Sequence, residues 1–441
     1  MKGFFSKAKV GLMFLGDIAF LYLSLWLMLK LRFGVDSSLM LQRHLSVFVF
    51  IYPFWILSFY IFGLYDLKLA KNTSDFYLAI LKATILNGLL STTILYLFPN
   101  FFHLTPRVNL FLNLLFFGIL FILWRHLYNF IVKSPTLTRE VIIIGNNPRT
   151  LELKEKIDSN PQLGYKIVSI IDPEKGDLNL EKNQNLYTVV TALNLNHYPD
   201  LAKKLYKYLP YFNFESFAGF YEKITGKVPL SQIDEVWFLD NLKEKEMIVY
   251  EKVKRLFDVS AALVLGIVTI LIFPLVALAI KLESPGSIFY KQIRLGKNEK
   301  NFKLIKFRSM REDAERDGAI WAKKNDPRIT NVGRILRKSL IDELPQFVNI
   351  LKGEISLIGP RPERPEFIKD LEREIPFYHI RHLIKPGLTG WAQINFKYGN
   401  TIGDALEKLQ YELYYTKNRS LFLDVKIILK TINIILKGGT Q

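Results

Sequence analysis

The sequence predicts a helical membrane bundle at residues 1–134, an α/β middle domain at 135–245, and an α/β C-terminal domain at 246–441 that carries a further membrane-embedded helix at about 256–281. Three observations predict it. Half of the 441 residues are hydrophobic, more than a soluble protein of this size needs. The apolar residues gather into runs of membrane-spanning length, separated by segments of ordinary α/β texture. The net charge is +18, with basic residues bordering the apolar runs, which suits an anionic partner such as lipid headgroups or phosphates. Nucleic acid is disfavoured, because its binding domains usually collect their basic residues on one face of a soluble fold. With no cysteine, disulfides, thiolate metal sites and cysteine nucleophiles are excluded.

Apolar stretches at about 10–29, 45–65, 76–98 and 108–132 each approach the ~20 residues that cross a hydrocarbon core. The first follows Lys2, Lys7 and Lys9 but has no small-residue cleavage site, so it reads as a retained helix rather than a signal peptide. Lys68 and Lys71 between spans two and three, and Lys133 and Arg139 after span four, favour a cytoplasmic start. Lys30, Arg32 and Arg43 in the first external loop argue the other way.

From Arg139 the texture changes. Residues 141–144 read as a buried strand, followed by Gly145-Asn-Asn-Pro-Arg-Thr and a helical pattern to Ile157, with further strands at 165–171 and 235–239. One glycine is too few for a dinucleotide fingerprint, so the loop reads as a strand-to-helix turn and the region is assigned no chemistry.

An uncharged run, 259–280, follows Lys252, Lys254, Arg255 and Asp258 and contains Pro274. Cations flank it on both sides, with Lys281 after it, and the rest of the chain is basic. A segment that enters and leaves on the cytoplasmic face satisfies both flanks. Pro274 removes a backbone donor and clashes with the preceding turn, so it either breaks the helix and turns it back or kinks a fifth span.

Beyond the run, Lys306 shares a face with Phe302 and Leu304 if 302–307 is a strand. That is an odd place for a cation unless an anion meets it, although long side chains commonly snorkel to water. In Ser339-Leu-Ile-Asp-Glu-Leu-Pro-Gln, Pro345 is comfortable only in a first turn, so a helix should begin near Asp342. The helix end would keep Asp342 ionised, and Arg337 upstream could hold a phosphate; an ordinary cap is the commoner use of such a residue. Arg361 stands between two prolines in Gly359-Pro-Arg-Pro, presented with little freedom to lose and suited to bidentate phosphate recognition, or else decorating a rigid turn. A third loop, Arg381-His-Leu-Ile-Lys-Pro-Gly-Leu-Thr-Gly-Trp-Ala-Gln, again joins cations to turn signals, with Trp391 as either a base-stacking surface or core.

In order, Lys254-Arg-Leu-Phe-Asp258, the proline-interrupted apolar segment, Ser284-Pro-Gly-Ser-Ile-Phe-Tyr-Lys-Gln, Lys306-Phe-Arg-Ser-Met, Ser339-Leu-Ile-Asp-Glu-Leu-Pro-Gln, Gly359-Pro-Arg-Pro and Lys385-Pro-Gly-Leu-Thr-Gly-Trp-Ala-Gln resemble the bacterial sugar transferase family of polyprenyl-phosphate phosphoglycosyl transferases. The match runs from about Lys252 to the C-terminus, and the preceding four spans and α/β region look like its long, polytopic members. The resemblance implies a Rossmann-like middle domain and a catalytic domain on a re-entrant helix broken at Pro274. It implies an Asp342–Glu343 pair that is both catalytic and Mg2+-binding, and phosphate contacts from Lys306, Arg308, Arg337 and Arg361. The implied reaction passes a sugar-1-phosphate from a UDP-sugar to undecaprenyl phosphate through a covalent aspartyl-phosphosugar, releasing UMP. The implied setting is the lipid bilayer of the bacterial inner membrane, with the catalytic domain on the cytoplasmic face; a homo-oligomer is left open. The segment starting at Asn395 resembles exopolysaccharide-type members, favouring a hexose such as glucose or galactose over an N-acetylated sugar.

A non-catalytic membrane scaffold of glycan assembly is the alternative, and it would show loss of the acidic pair or of the cations. An inverting glycosyltransferase would need a metal-binding acidic motif, and Asp313 and Glu315 read better as a solvated face.

Overall fold

The computed structural model describes residues 4–67, 73–102, 107–132, 138–172, 188–193, 195, 198–242, 247–314, 326–396, 399 and 401–438, so Glu315 lies outside the described residues. The chain forms two compact units, Met1–Phe220 and Tyr221–Gln441.

The first unit opens with four long helices, α1 (Phe4–Phe33), α2 (Ser37–Ile61), α3 (Ser74–Leu97) and α4 (Arg107–Val132), matching the four apolar stretches. A turn at Gly34–Asp36, with Gly34 at φ +52°, folds α2 back along α1, so that Tyr52 Oη donates to the Leu21 carbonyl at 3.0 Å. The helical run Ala8–Ile61 and the segments Ser74–Leu97 and Val108–Val132 are long and apolar enough to cross a membrane. Lipid tails give apolar helices no hydrophobic reason to associate, so packing and polar pairs must hold them. Both are present. Phe59 stacks on Phe117 at 5.4 Å, the Asp17–Arg125 ion pair lies buried at 2.7 Å, Ser24 meets Asn113 at 2.8 Å, and Trp55 meets Ser91 at 2.8 Å.

The same unit then builds a four-stranded parallel sheet, ordered β2-β1-β3-β4, from β1 (Arg139–Ile144), β2 (Tyr165–Ile171), β3 (Thr188–Thr191) and β4 (Asn213–Ser216). After β1, Gly145 takes φ +105°, and Asn147 caps α5 (Pro148–Asp158) by accepting from the Thr150 amide at 2.9 Å. The loop thus uses its own side chain at the helix start, as a turn does.

The unit boundary falls inside α6 (Phe217–Thr225). Residues 221–242, grouped with the middle domain from sequence, pack in the second unit, where Val228, Leu230 and Phe238 share a core with Ile368, Leu371 and Leu413. The expected strand at 235–239 is a helix, α7 (Glu235–Asn241). Asp234 caps it from the Trp237 amide at 2.9 Å, and only Phe238 is buried, a one-sided pattern that a short apolar run conceals.

Next comes α8 (Ile248–Glu283), 36 residues long, the fourth segment apolar enough to cross a membrane. Pro274 lies inside it without ending it, contrary to the expected break. The turn after the proline is held by packing, since Val276 and Ile280 share a cluster with Phe307 and Leu336, and a supported helix can pass through a proline. The remainder comprises the antiparallel hairpin β5 (Phe289–Leu295) and β6 (Asn301–Phe307), α9 (Asn331–Lys338), a 3-10 turn at Ile341–Gln346, α10 (Phe347–Lys352), and the parallel pair β7 (Ser356–Ile358) and β8 (Gly387–Thr389). Helices α11 (Pro365–Glu374), α12 (Trp391–Asn395), α13 (Ile402–Asn418) and α14 (Leu421–Leu436) complete it.

Candidate active site

Lys306 sits near the end of β6, on the strand face that also buries Phe302 and Leu304. It does not snorkel. Its Nζ donates to Glu343 Oε1 at 2.6 Å, so an anion meets the misplaced cation. Asn349, fully buried on α10, brings the two elements together by accepting from the Ile305 amide at 3.1 Å and donating to the Lys303 carbonyl at 2.8 Å. Sequence reasoning missed Asn349; its signal was a lone amide in the apolar stretch Phe347-Val-Asn-Ile-Leu.

Asp342 and Glu343 lie on the 3-10 turn, both buried, with the helix continuing as α10. Leu340, just before the turn, takes φ +57°, a strained conformation for a branched side chain. Glu343 Oε1 also accepts from Arg361 Nη2 at 3.0 Å. Burial pushes the Glu343 carboxyl up, but Lys306 and Arg361 outweigh it and hold it below the ordinary glutamate range. Asp342 goes the other way: burial raises it, with Glu343 adding to the rise and Lys306, Arg337 and Arg361 opposing. Desolvation and the neighbouring charge thus act against the helix end, which is not the dominant influence on the Asp342 carboxyl. Asp342 Oδ1 is buried with no hydrogen-bond partner.

Arg337 leaves the last turn of α9 and donates from Nε to Ser309 Oγ at 2.9 Å. Gly333 lets that helix approach closely, since a Cβ there would run into the Ser309 carbonyl. Arg308 is engaged differently: its Nη2 donates to the Ser284 carbonyl at 2.7 Å and its Nη1 to the Pro285 carbonyl, so it holds the loop after α8. All four cations and both acids line one groove of about 2500 Å³. The third loop turns inward. Arg381 is buried against Glu412, and Trp391 is core, donating from Nε1 to the Gly226 carbonyl at 2.8 Å.

The motif at the start of α8 is structural. Lys254 pairs with Asp424 at 3.0 Å, Arg255 donates to the Ile350 and Leu351 carbonyls, and Asp258 accepts from Ser356 Oγ and the Leu357 amide at 3.0 Å each. At the other end Glu283 accepts from the Asn331 and Val332 amides, fastening α8 to the start of α9.

Residues 249–438 match the family model described as "Bacterial sugar transferase". A UDP-N-acetylgalactosamine-undecaprenyl-phosphate N-acetylgalactosaminephosphotransferase of Aeromonas hydrophila is 42% identical over 242 residues, covering 54% of this chain and 55% of the relative. An undecaprenyl-phosphate glucose phosphotransferase of Komagataeibacter xylinus is 33% identical, covering 69% of this chain and 61% of the relative. The chain thus spans between about half and two thirds of the length of these two relatives. A UDP-glucose:undecaprenyl-phosphate glucose-1-phosphate transferase of Klebsiella pneumoniae is 31% identical over 464 residues, covering 91% of this chain and 97% of the relative. With that similarity running along both chains, and the matched segment holding every residue of the groove just described, the chain belongs to the bacterial sugar transferase family.

Proposed function

We propose that this protein transfers a sugar-1-phosphate from a UDP-sugar to undecaprenyl phosphate, releasing UMP, as the opening step of exopolysaccharide or other surface-glycan synthesis. The observation that carries the reading is the buried acid pair: Glu343 is held by two cations, while Asp342 lines the same cation-lined groove and keeps one buried oxygen without a hydrogen-bond partner. A carboxylate oxygen of Asp342 attacks the sugar-bearing phosphorus, the bond from that phosphorus to the bridging oxygen breaks, and UMP leaves with the electron pair. An oxygen of the lipid phosphate then attacks the same phosphorus and releases the carboxylate. Arg337 and Arg361, which line the same groove, balance the charge of the diphosphate in this reading. Glu343, held low by its cations, is a poor proton acceptor, so its role is to orient Lys306 and Arg361.

Magnesium bound mainly by water and substrate oxygens needs only one or two protein carboxylates. Asp342 Oδ1 with Glu343 beside it fits that requirement; among the described residues no group of three His, Cys, Asp or Glu could form a closed protein cage. When bound, Mg2+ neutralises diphosphate charge.

We further infer that α8 is re-entrant, bent at Pro274 without being broken there, with the catalytic unit on the cytoplasmic face of the inner membrane. Both ends of the helix, at Arg255 and Asp258 and again at Glu283, bond to residues of one soluble-textured unit, which a straight crossing would hold on one side only. The parallel sheet of the first unit is read as Rossmann-like, without a nucleotide site.

The test is UMP release by purified protein with undecaprenyl phosphate and a panel of UDP-glucose, UDP-galactose and UDP-N-acetylgalactosamine. Lipid-dependent UMP release from one of them is expected. No release from any, by folded protein with Mg2+, overturns the reading.

A further inference from the structure

The loop that presents Arg361 is held in an unusual way. Pro360 and Pro362 have no amide to donate, so the segment Pro360–Glu363 loses half of its backbone donors and leans on its carbonyls. Four consecutive carbonyls each accept from a different place. Pro360 accepts from the Gly387 amide at 2.8 Å and Glu363 from the Leu295 amide at 3.0 Å, so backbone holds the outer two. The inner two are held by guanidinium groups: Arg361 accepts from Arg381 Nη2 at 2.7 Å, and Pro362 from Arg294 Nη1 at 3.0 Å.

Arg381 is 4% exposed, and each of its three nitrogens donates. Nε and Nη2 form a two-point pair with Glu412 at 2.8 Å each, Nη1 donates to Tyr378 Oη at 2.7 Å, and Nη2 also reaches the Arg361 carbonyl. A buried ion pair is a poor way to stabilise a core, since apolar residues of similar volume often do as well or better. What apolar residues cannot do is donate to the Arg361 carbonyl. Glu412 and Tyr378 fix the fork in two directions, so its remaining reach fixes the backbone of Arg361, whose side chain meets Glu343 at 3.0 Å.

We propose that Arg381, oriented by Glu412 and Tyr378, is a positioning residue that sets the backbone of Arg361 and thereby aims the Arg361 guanidinium at Glu343 and the substrate phosphate. This rests on the function proposed above and adds to it a residue that touches no substrate. A lysine at 381 keeps the charge opposite Glu412 but has no planar fork to share between Glu412, Tyr378 and the Arg361 carbonyl.

The test is a double-mutant cycle on UMP release, because residues acting through one another are non-additive whereas independent ones add. Arg381→Lys should lower kcat/KM about tenfold in the wild-type background and less than twofold once Arg361→Ala has removed the group being aimed. Tyr378→Phe, which leaves the Arg381–Glu412 pair intact, supplies a milder second cycle with the same expected pattern if Arg381→Lys folds poorly. Equal fold-losses in both backgrounds, in the cycle that folds, overturn the proposal and make the cluster purely structural. Wild-type protein that releases no UMP would instead fail the proposed function, so the two failures are told apart by the wild-type control.

Discussion

Lys306 Nζ and Glu343 Oε1 lie 2.6 Å apart, joining the end of a β-hairpin to a turn 37 residues later. Both side chains are largely buried, so each charge relies on its ion-pair partners, Lys306 on Glu343 and Glu343 on Lys306 and Arg361. Lys306→Met should therefore cost about 1.5–3 kcal/mol of stability, the range for a hydrogen bond to a charged group, because Arg361 still meets Glu343. Chemical unfolding of the purified variant measures it. A loss near zero would mean that water reaches Glu343 freely.

Arg361→Lys keeps a charge but loses the fork. Hydrogen bonds to charged groups contribute about 1.5–3 kcal/mol, so kcat/KM for the UDP-sugar should fall about ten- to hundredfold. Near wild-type kinetics would reduce Arg361 to a generic positive charge.

Asn349→Leu should separate assembly of the site from its chemistry. The amide satisfies the Ile305 amide and the Lys303 carbonyl and also meets Glu354 Oε2 at 2.6 Å, and leaving such buried groups unpaired costs about 1–3 kcal/mol each. A lowered Tm accompanied by lost turnover is expected. Unchanged thermal stability would show that the strand and α10 are held together by apolar packing alone.

Topology has its own check, and the chain's lack of cysteine makes it clean. Single cysteines replacing Lys252 and Ser287, both exposed and flanking the apolar part of α8, should label from the same face of intact membranes. Labelling from opposite faces would make α8 an ordinary span. Pro274→Leu should then report whether the proline bends the helix for function, as reduced activity, or is incidental.

Asp342 is raised and Glu343 lowered, so of the two acids Asp342 takes up its proton first as pH falls. Turnover should fall as pH drops through the raised value, because the protonated acid cannot attack. Arg337 is among the cations that oppose the rise, so Arg337→Gln should move this acidic limb to higher pH. A limb that stays in place would show that Arg337 acts on substrate alone.

The membrane helices, the hairpin strand and the turn at Asp342 were legible because each rests on local pattern: apolar length, alternation, and a proline that tolerates only a first turn. Other features depend on what the chain meets in space. Nothing local says that Arg308 spends its donors on the carbonyls of 284 and 285 while Arg337, of the same residue type and on the same groove, meets the Ser309 hydroxyl through Nε. Arg381 has the sequence context of a phosphate ligand and lies instead in the core, because Glu412 arrives from α13, 31 residues away. The helix at 235–239 reads as a strand in sequence because four apolar residues, Val236 to Leu239, fit either period, and the deciding cap, Asp234, lies outside them. Continuity through Pro274 depends on Phe307 and Leu336, which pack against the turn that follows it.

Asp342→Asn tests the chemistry most directly. Were Asp342 only a cap, asparagine would serve about as well, and even a poor cap costs only about 1 kcal/mol. As a nucleophile it has no such substitute, since the amide lacks an anionic oxygen to attack phosphorus. Wild-type protein should exchange labelled UMP into UDP-sugar without any lipid acceptor, because the first half-reaction is reversible, and the variant should show neither exchange nor turnover. Stability should move in the opposite direction. A carboxyl whose folded value is raised contributes fully below its unfolded value, and that contribution is lost as pH rises through the folded one, so ionised Asp342 burdens the native state at neutral pH. Removing the charge should leave Tm at pH 7 unchanged or higher, and the gain over wild type should disappear in acid. Retained turnover in Asp342→Asn, or exchange in wild type only when polyprenyl phosphate is present, would rule out the covalent route through this residue.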